Sequence, residues 1–109
     1  MSPEELLEMF QIDYNDGSGG TMFCLLVYLM IDGVDPDHRD PGMDGPHAIA
    51  EICKAAFLPR PAVYARMKKA LAPIFEAEPE TLQALGIRPQ KSTVGLAREV
   101  IRSMKGGGR

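Results

Sequence analysis

Chemistry requires groups that titrate, ligate or attack, held close together, and three stretches of this chain bring such groups near one another. The first is residues 32–46, with Asp32, Asp35, Asp37, Asp40 and Asp44 beside His38 and His47. A calcium loop needs oxygen ligands in regular alternation and a glycine at its sharp turn. Here Pro36 and Pro41 interrupt the alternation, and Arg39 repels a cation. His38 and His47 also lack the short helical spacing of a zinc pair. The segment reads as a solvated loop, and no metal is expected. The second stretch, Gly17-Ser18-Gly19-Gly20-Thr21, opens onto an apolar run. Helix N-termini welcome anions, but the stretch lacks the lysine of a phosphate-binding loop, and Asp13 and Asp16 oppose a phosphate. It reads as a flexible turn with a helix cap. The third is the cysteine pair. Cys24 and Cys53 stand 29 positions apart, a spacing that fits neither a metal nor a redox motif. Both lie in apolar runs and read as reduced, buried, small hydrophobes, which suits a reducing compartment. No nucleophile has a partner at a telling spacing, so the chain is expected not to be an enzyme and to carry no cofactor.

The elements that must position these groups are helical. Ser2 can cap a first helix, with Pro3 at its first position and Glu5 completing a Ser-x-x-Glu capping box. Leu6, Leu7, Phe10 and Met9 form its buried side, and it should end near Ile12. Thr21 is expected to cap a second helix over residues 22–31, apolar all round and therefore central. A run this short also suits a buried strand, but its Met and Leu content and helical neighbours favour the helix. That run of ten residues is about half of what a membrane span needs. Pro46 can open a third helix over residues 47–57, with Ile49, Ile52, Cys53 and Ala56 on one side. A fourth starts at Pro61, repeats Val63, Met67, Ala70, Leu71 and Ile74, and is kinked or ended by Pro73. A short piece over residues 79–85 stops at Gly86. Ser92 caps a last helix running to about Lys105, with Val94, Ala97, Val100, Ile101 and Met104 inward and Arg98, Arg102 and Lys105 outward. Met22, Met30, Met67 and Met104 fill the core, while Met43 in the acidic loop reads as an ordinary surface residue, or else as part of an adaptable interface. These expectations amount to one all-α domain, residues 1–105, built as a compact orthogonal bundle of five to six short helices, with a flexible tail at 106–109. The acidic start, Ser2-Pro3-Glu4-Glu5, is unlike a signal peptide, and a cytoplasmic location is expected.

Charge is distributed unevenly. Residues 1–52 hold eleven acidic side chains against one basic, a balance of −10. Residues 53–109 hold eleven basic against four acidic, a balance of +7. Such a split points to a basic binding face or to a partner of matching polarity. Two bland readings remain open: the halves neutralise each other within the fold, or the charges are simply solvated.

Within the basic half, residues 49–71 run IAEICKAAFLPRPAVYARMKKAL. This stretch resembles the helix-turn-helix of bacterial repressors and recombinases, in a unit bounded by residues 47–72. Cys53 stands where that motif has a small residue, Leu58 where an apolar plug follows the turn, and Val63 and Met67 where the second helix packs back. Phe57 occupies the turn position that is usually glycine. The resemblance implies a recognition helix over residues 60–71 in the major groove of DNA. It further implies that Arg60, Tyr64, Lys68 and Lys69 meet bases or phosphates. Arg66, Arg98 and Arg102 would add phosphate contacts, in a two-fold homodimer. A second, weaker candidate combines residues 82–87 with residues 92–104. It has the turn glycine, Gly86, and the plug, Ile87, but a longer connection.

Two functions follow. One is a small nucleic-acid-binding or regulatory protein, DNA more than RNA, using the helix-turn-helix-like unit. The alternative is a protein-interaction module. Compact acidic helical chains of this size resemble phage accessory proteins, namely inhibitors of host or defence proteins and small virion connector subunits. In that reading Asp35, Asp37, Asp40 and Asp44 meet a basic protein surface. A membrane partner is not expected.

Overall fold

The computed structural model describes residues 1–37 and 47–106. The expectations placed on His38, Arg39, Asp40, Met43, Asp44 and Pro46, and on residues 107–109 of the tail, lie outside the described residues. Among the described residues the chain is all α-helix: α1 Pro3–Met9, α2 Gly19–Ile31, α3 Ala48–Ala56, α4 Arg60–Ala70, α5 Ala72–Phe75, α6 Pro79–Ala84 and α7 Thr93–Gly106. These seven exceed the expected five or six because the helix ahead of Pro73 breaks at Leu71 and resumes as a single turn. Proline at position 73 cannot donate its nitrogen back into the ladder, so α4 stops and α5 begins.

The caps explain the boundaries. Ser2 accepts from the Glu5 N–H at 3.2 Å, as the capping box requires. α1 ends at Met9, three residues earlier than expected, and Gln11 turns through a left-handed φ of 57°. Met9 is consequently exposed, and Phe10 is half-buried. At α2 the cap is Ser18, not Thr21. The Ser18 Oγ accepts from the Thr21 N–H at 3.1 Å, and the helix starts at Gly19. The Thr21 hydroxyl instead donates backwards to the carbonyls of Tyr14 and Asn15, closing the preceding turn.

Gly19 and Gly20 are therefore not a flexible turn but a packing device, both buried. A Cβ on Gly19 would lie 2.1 Å from the Arg66 carbonyl oxygen and 2.9 Å from the Ala70 Cβ, so glycine is what lets α2 and α4 approach. A Cβ on Gly20 would lie 2.1 Å from the Asp13 carbonyl oxygen. α2 is central as expected, packing on α1, α3, α4 and α7, most extensively on α4. Phe23, Leu26 and Val27 are fully enclosed with Leu6, Leu7, Ile49, Ile52, Val63, Met67, Leu71 and Ile74. It is not buried on every side: Leu25, Tyr28 and Ile31 form a partly exposed strip. The Tyr28 hydroxyl donates to Glu4 at 2.8 Å, fastening α1 to α2, and this bond pushes the phenol up to about 12.

Cys24 is buried, and burial pushes its thiol up to about 12, which disfavours the thiolate. Cys53 is only half-buried. Met30 and Met104 likewise sit at the margin of the core, while Met22 and Met67 are inside it. On α7 the buried residues are Thr93, Leu96, Ala97, Glu99 and Val100, whereas Val94, Ile101 and Met104 are half-buried. Among the described residues no helix is long and apolar enough to cross a membrane.

Candidate nucleic-acid interface

α3 and α4 pack on each other and are joined by Phe57-Leu58-Pro59. Phe57 adopts φ 56° and ψ 42°, the left-handed conformation that a turn glycine takes without strain. The N–H groups of Phe57 and Leu58 both donate to the Cys53 carbonyl, the second at 3.2 Å, which closes the end of α3. Leu58 is half-buried behind the turn, and Val63 and Met67 are fully enclosed. The phenyl ring of Phe57 is 94% exposed and touches no part of the core.

The start of α4 is held by the acidic segment. The backbone carbonyls of Asp35 and Pro36 accept from the N–H groups of Ala48 at 2.8 Å and Ile49 at 3.0 Å, so residues 35–36 close the first turn of α3. The next residue, Asp37, reaches α4. Its carboxylate accepts from the Arg60 guanidinium and, at 2.8 Å, from the Tyr64 hydroxyl, with only 9% of its side chain exposed. The Arg60 guanidinium also lies 5.9 Å from the centre of the Tyr64 ring, within cation–π range. His47 Nδ1 is 3.8 Å from the other Asp37 oxygen. That nitrogen accepts from the Ala50 N–H at 3.2 Å, capping the first turn of α3. The fold thus unites residues that the sequence reading assigned to two rival surfaces. Arg60 and Tyr64 face Asp37 of the same chain, while Asp35 remains exposed.

Arg102 also has a partner within the chain. It donates to Glu99 at 2.9–3.3 Å and to the Gly86 carbonyl at 2.9 Å. Glu99 accepts the Arg88 N–H at 2.9 Å as well, and it is one of the two buried polar residues of the described chain. The hydrogen bonds from Arg102, then that from Arg88, hold the Glu99 carboxyl below the usual range. The cluster locks the connection after α6, with its left-handed Gly86, onto α7. Glu99 was missed by the sequence reading; its only signal was the three-residue spacing to Arg102 on one helix.

The remaining expected cations, Arg66, Lys68, Lys69 and Arg98, are exposed, and none makes an ion pair among the described residues. Arg66 makes one long contact, 3.4 Å to the Gly17 carbonyl. Lys68 lines a cleft of about 340 Å³ with Tyr64, Ala65, Phe75, Lys91, Ser92, Thr93 and Val94. An adjoining hollow of about 300 Å³ shares Lys68, Phe75 and Lys91, and adds Ala72, Glu76 and Gln90. Lys91 was not singled out from the sequence, because it sits in an irregular connection with no periodic neighbours. No protein-family model matches the chain, and neither a curated protein nor a solved structure matches it.

Proposed function

We propose that the chain is a non-enzymatic nucleic-acid-binding protein that grips backbone phosphates with the exposed cations of α4. The observation that carries this reading is the division among its basic residues. Arg60 and Arg102 are committed to Asp37 and Glu99, whereas Arg66, Lys68 and Lys69 stand exposed within a single turn of one helix without a carboxylate. A cation already paired has no net charge to offer, while an unpaired one releases counterions when it meets a phosphate. The left-handed Phe57 turn, the Leu58 plug and the enclosed Val63 and Met67 support the helix-turn-helix likeness of α3 and α4.

Phosphate contacts position a protein on nucleic acid, and base contacts specify the sequence. With Arg60 and Tyr64 held by Asp37, the residues best placed by the motif to read bases are occupied. Binding on this reading is therefore weakly sequence-dependent, and a two-fold dimer adds to its strength. The test is binding of a fluorescent random-sequence DNA by the parent chain and by the Arg66→Ala/Lys68→Ala/Lys69→Ala variant at low salt. Loss of binding in a variant that melts like the parent supports the proposal. Equal binding by both would refute it.

A further inference from the structure

We infer that the cleft between α4, α5 and the start of α7 takes a single-stranded segment of nucleic acid, with a backbone phosphate between Lys68 and Lys91 and a base against Phe75. The inference rests on the nucleic-acid reading above and goes beyond it, since Lys91 and Phe75 play no part in the helix-turn-helix likeness. Three elements far apart in sequence converge here: Lys68 comes from α4, Phe75 from α5, and Lys91 from the connection into α7. Neither lysine makes an ion pair among the described residues, although Glu76 lines the adjoining hollow. Two unpaired lysines lining the same cleft repel each other, and an anion between them relieves that repulsion.

The aromatic lining decides which nucleic acid fits. Proteins that bind single strands combine a positive groove along the backbone with aromatic rings on which bases stack. In a duplex the bases are already stacked on one another and have no free face for Phe75. The cleft, at about 340 Å³, is near the lower end of the range for small-ligand pockets, in keeping with one nucleotide rather than a larger ligand. At the head of the fourteen-residue α7 the Ser92 hydroxyl accepts from the Gly95 N–H at 2.9 Å, which fixes the cleft's far wall.

The test compares a labelled oligothymidylate with a duplex of equal length, using the parent, K91Q, F75L and the triple α4 variant. Each variant is first checked by thermal melting. The expected result is tighter binding of the single strand, a fall of about 0.7 in its salt slope for K91Q, and roughly tenfold weaker single-strand binding for F75L. Lys91 is exposed, so K91Q reports even if F75L folds poorly. Unchanged binding by K91Q and F75L, with binding lost in the triple variant, would overturn the cleft and leave the nucleic-acid reading standing. Preference for the duplex would overturn the single-strand assignment. Absence of binding to either at low salt would overturn both readings together.

Discussion

A phenylalanine in the left-handed region carries strain of about 1–3 kcal/mol, and at Phe57 no burial offsets it, because the ring is 94% exposed. Glycine removes that strain but adds roughly 0.5–1 kcal/mol of unfolded-state entropy. The strain is the larger effect, so Phe57→Gly should stabilise the fold by about 1 kcal/mol. Thermal unfolding should then shift up by roughly 4–8 °C, and an unchanged or lowered midpoint would mean that the ring is packed against something. Gly19 behaves in the opposite way. Its missing Cβ leaves room for a backbone carbonyl of α4 that cannot swing aside, so Gly19→Ala should cost about 3 kcal/mol in denaturant unfolding. A loss below about 0.5 kcal/mol, the size of an ordinary surface substitution, would contradict the close approach. The helix-turn-helix resemblance placed Phe57 at a turn position that is usually glycine, and the backbone there is left-handed. The sequence did not show that Gly19 and Gly20 pack against other segments, because a glycine's use as a contact point depends on what the fold brings against it.

Helices were legible where periodicity and caps agree. Val63, Met67, Leu71 and Ile74 were expected inside and are inside. The errors fall at helix ends and on α7. Ser18 and Thr21 are both good caps by type, and the choice fell to Ser18 once the two glycines were needed inside the helix. On α7, Ala97 and Val100 are inside as expected, but Val94, Ile101 and Met104 are only half-buried, and the buried face takes in Thr93, Leu96 and Glu99 instead. A buried glutamate contradicts any hydrophobicity rule, and only its hydrogen bonds from Arg102 and Arg88 make it tolerable. Since its folded-state carboxyl titrates below the ordinary 4.5, Glu99 stabilises the fold at pH values above that and loses the contribution as pH falls through its lowered value. Glu99→Gln should therefore lower stability by about 1–2 kcal/mol near neutrality and flatten the acid limb of the stability curve as pH falls below the ordinary carboxyl value of 4.5. Parallel acid limbs for parent and variant would show that Glu99 is not linked to folding.

At the scale of the molecule, the sequence's opposed charges are partly settled within the fold. Asp37 from the acidic half binds Arg60 from the basic half, which is one of the two bland readings of the charge split realised at a single site. The site could not be assembled from sequence because Asp37 is 23 and 27 positions from Arg60 and Tyr64, and nothing local announces such a contact. The pairing leaves exposed the basic stretch of α4, Lys91 across the cleft and Arg98 on α7. If Asp37 only holds the start of α4, Asp37→Ala should reduce stability by about 1–3 kcal/mol, measured by denaturant unfolding, since it strips a nearly enclosed partner from Arg60 and Tyr64. The central claim is that unpaired α4 cations bind phosphates, and its most direct test is the dependence of binding on salt. Association with random-sequence duplex should fall linearly on logarithmic axes, with a slope of about −0.9 for each phosphate contacted, and the Arg66/Lys68/Lys69→Ala variant should lose about three such contacts. A shallow slope shared by the parent and that variant would contradict the account.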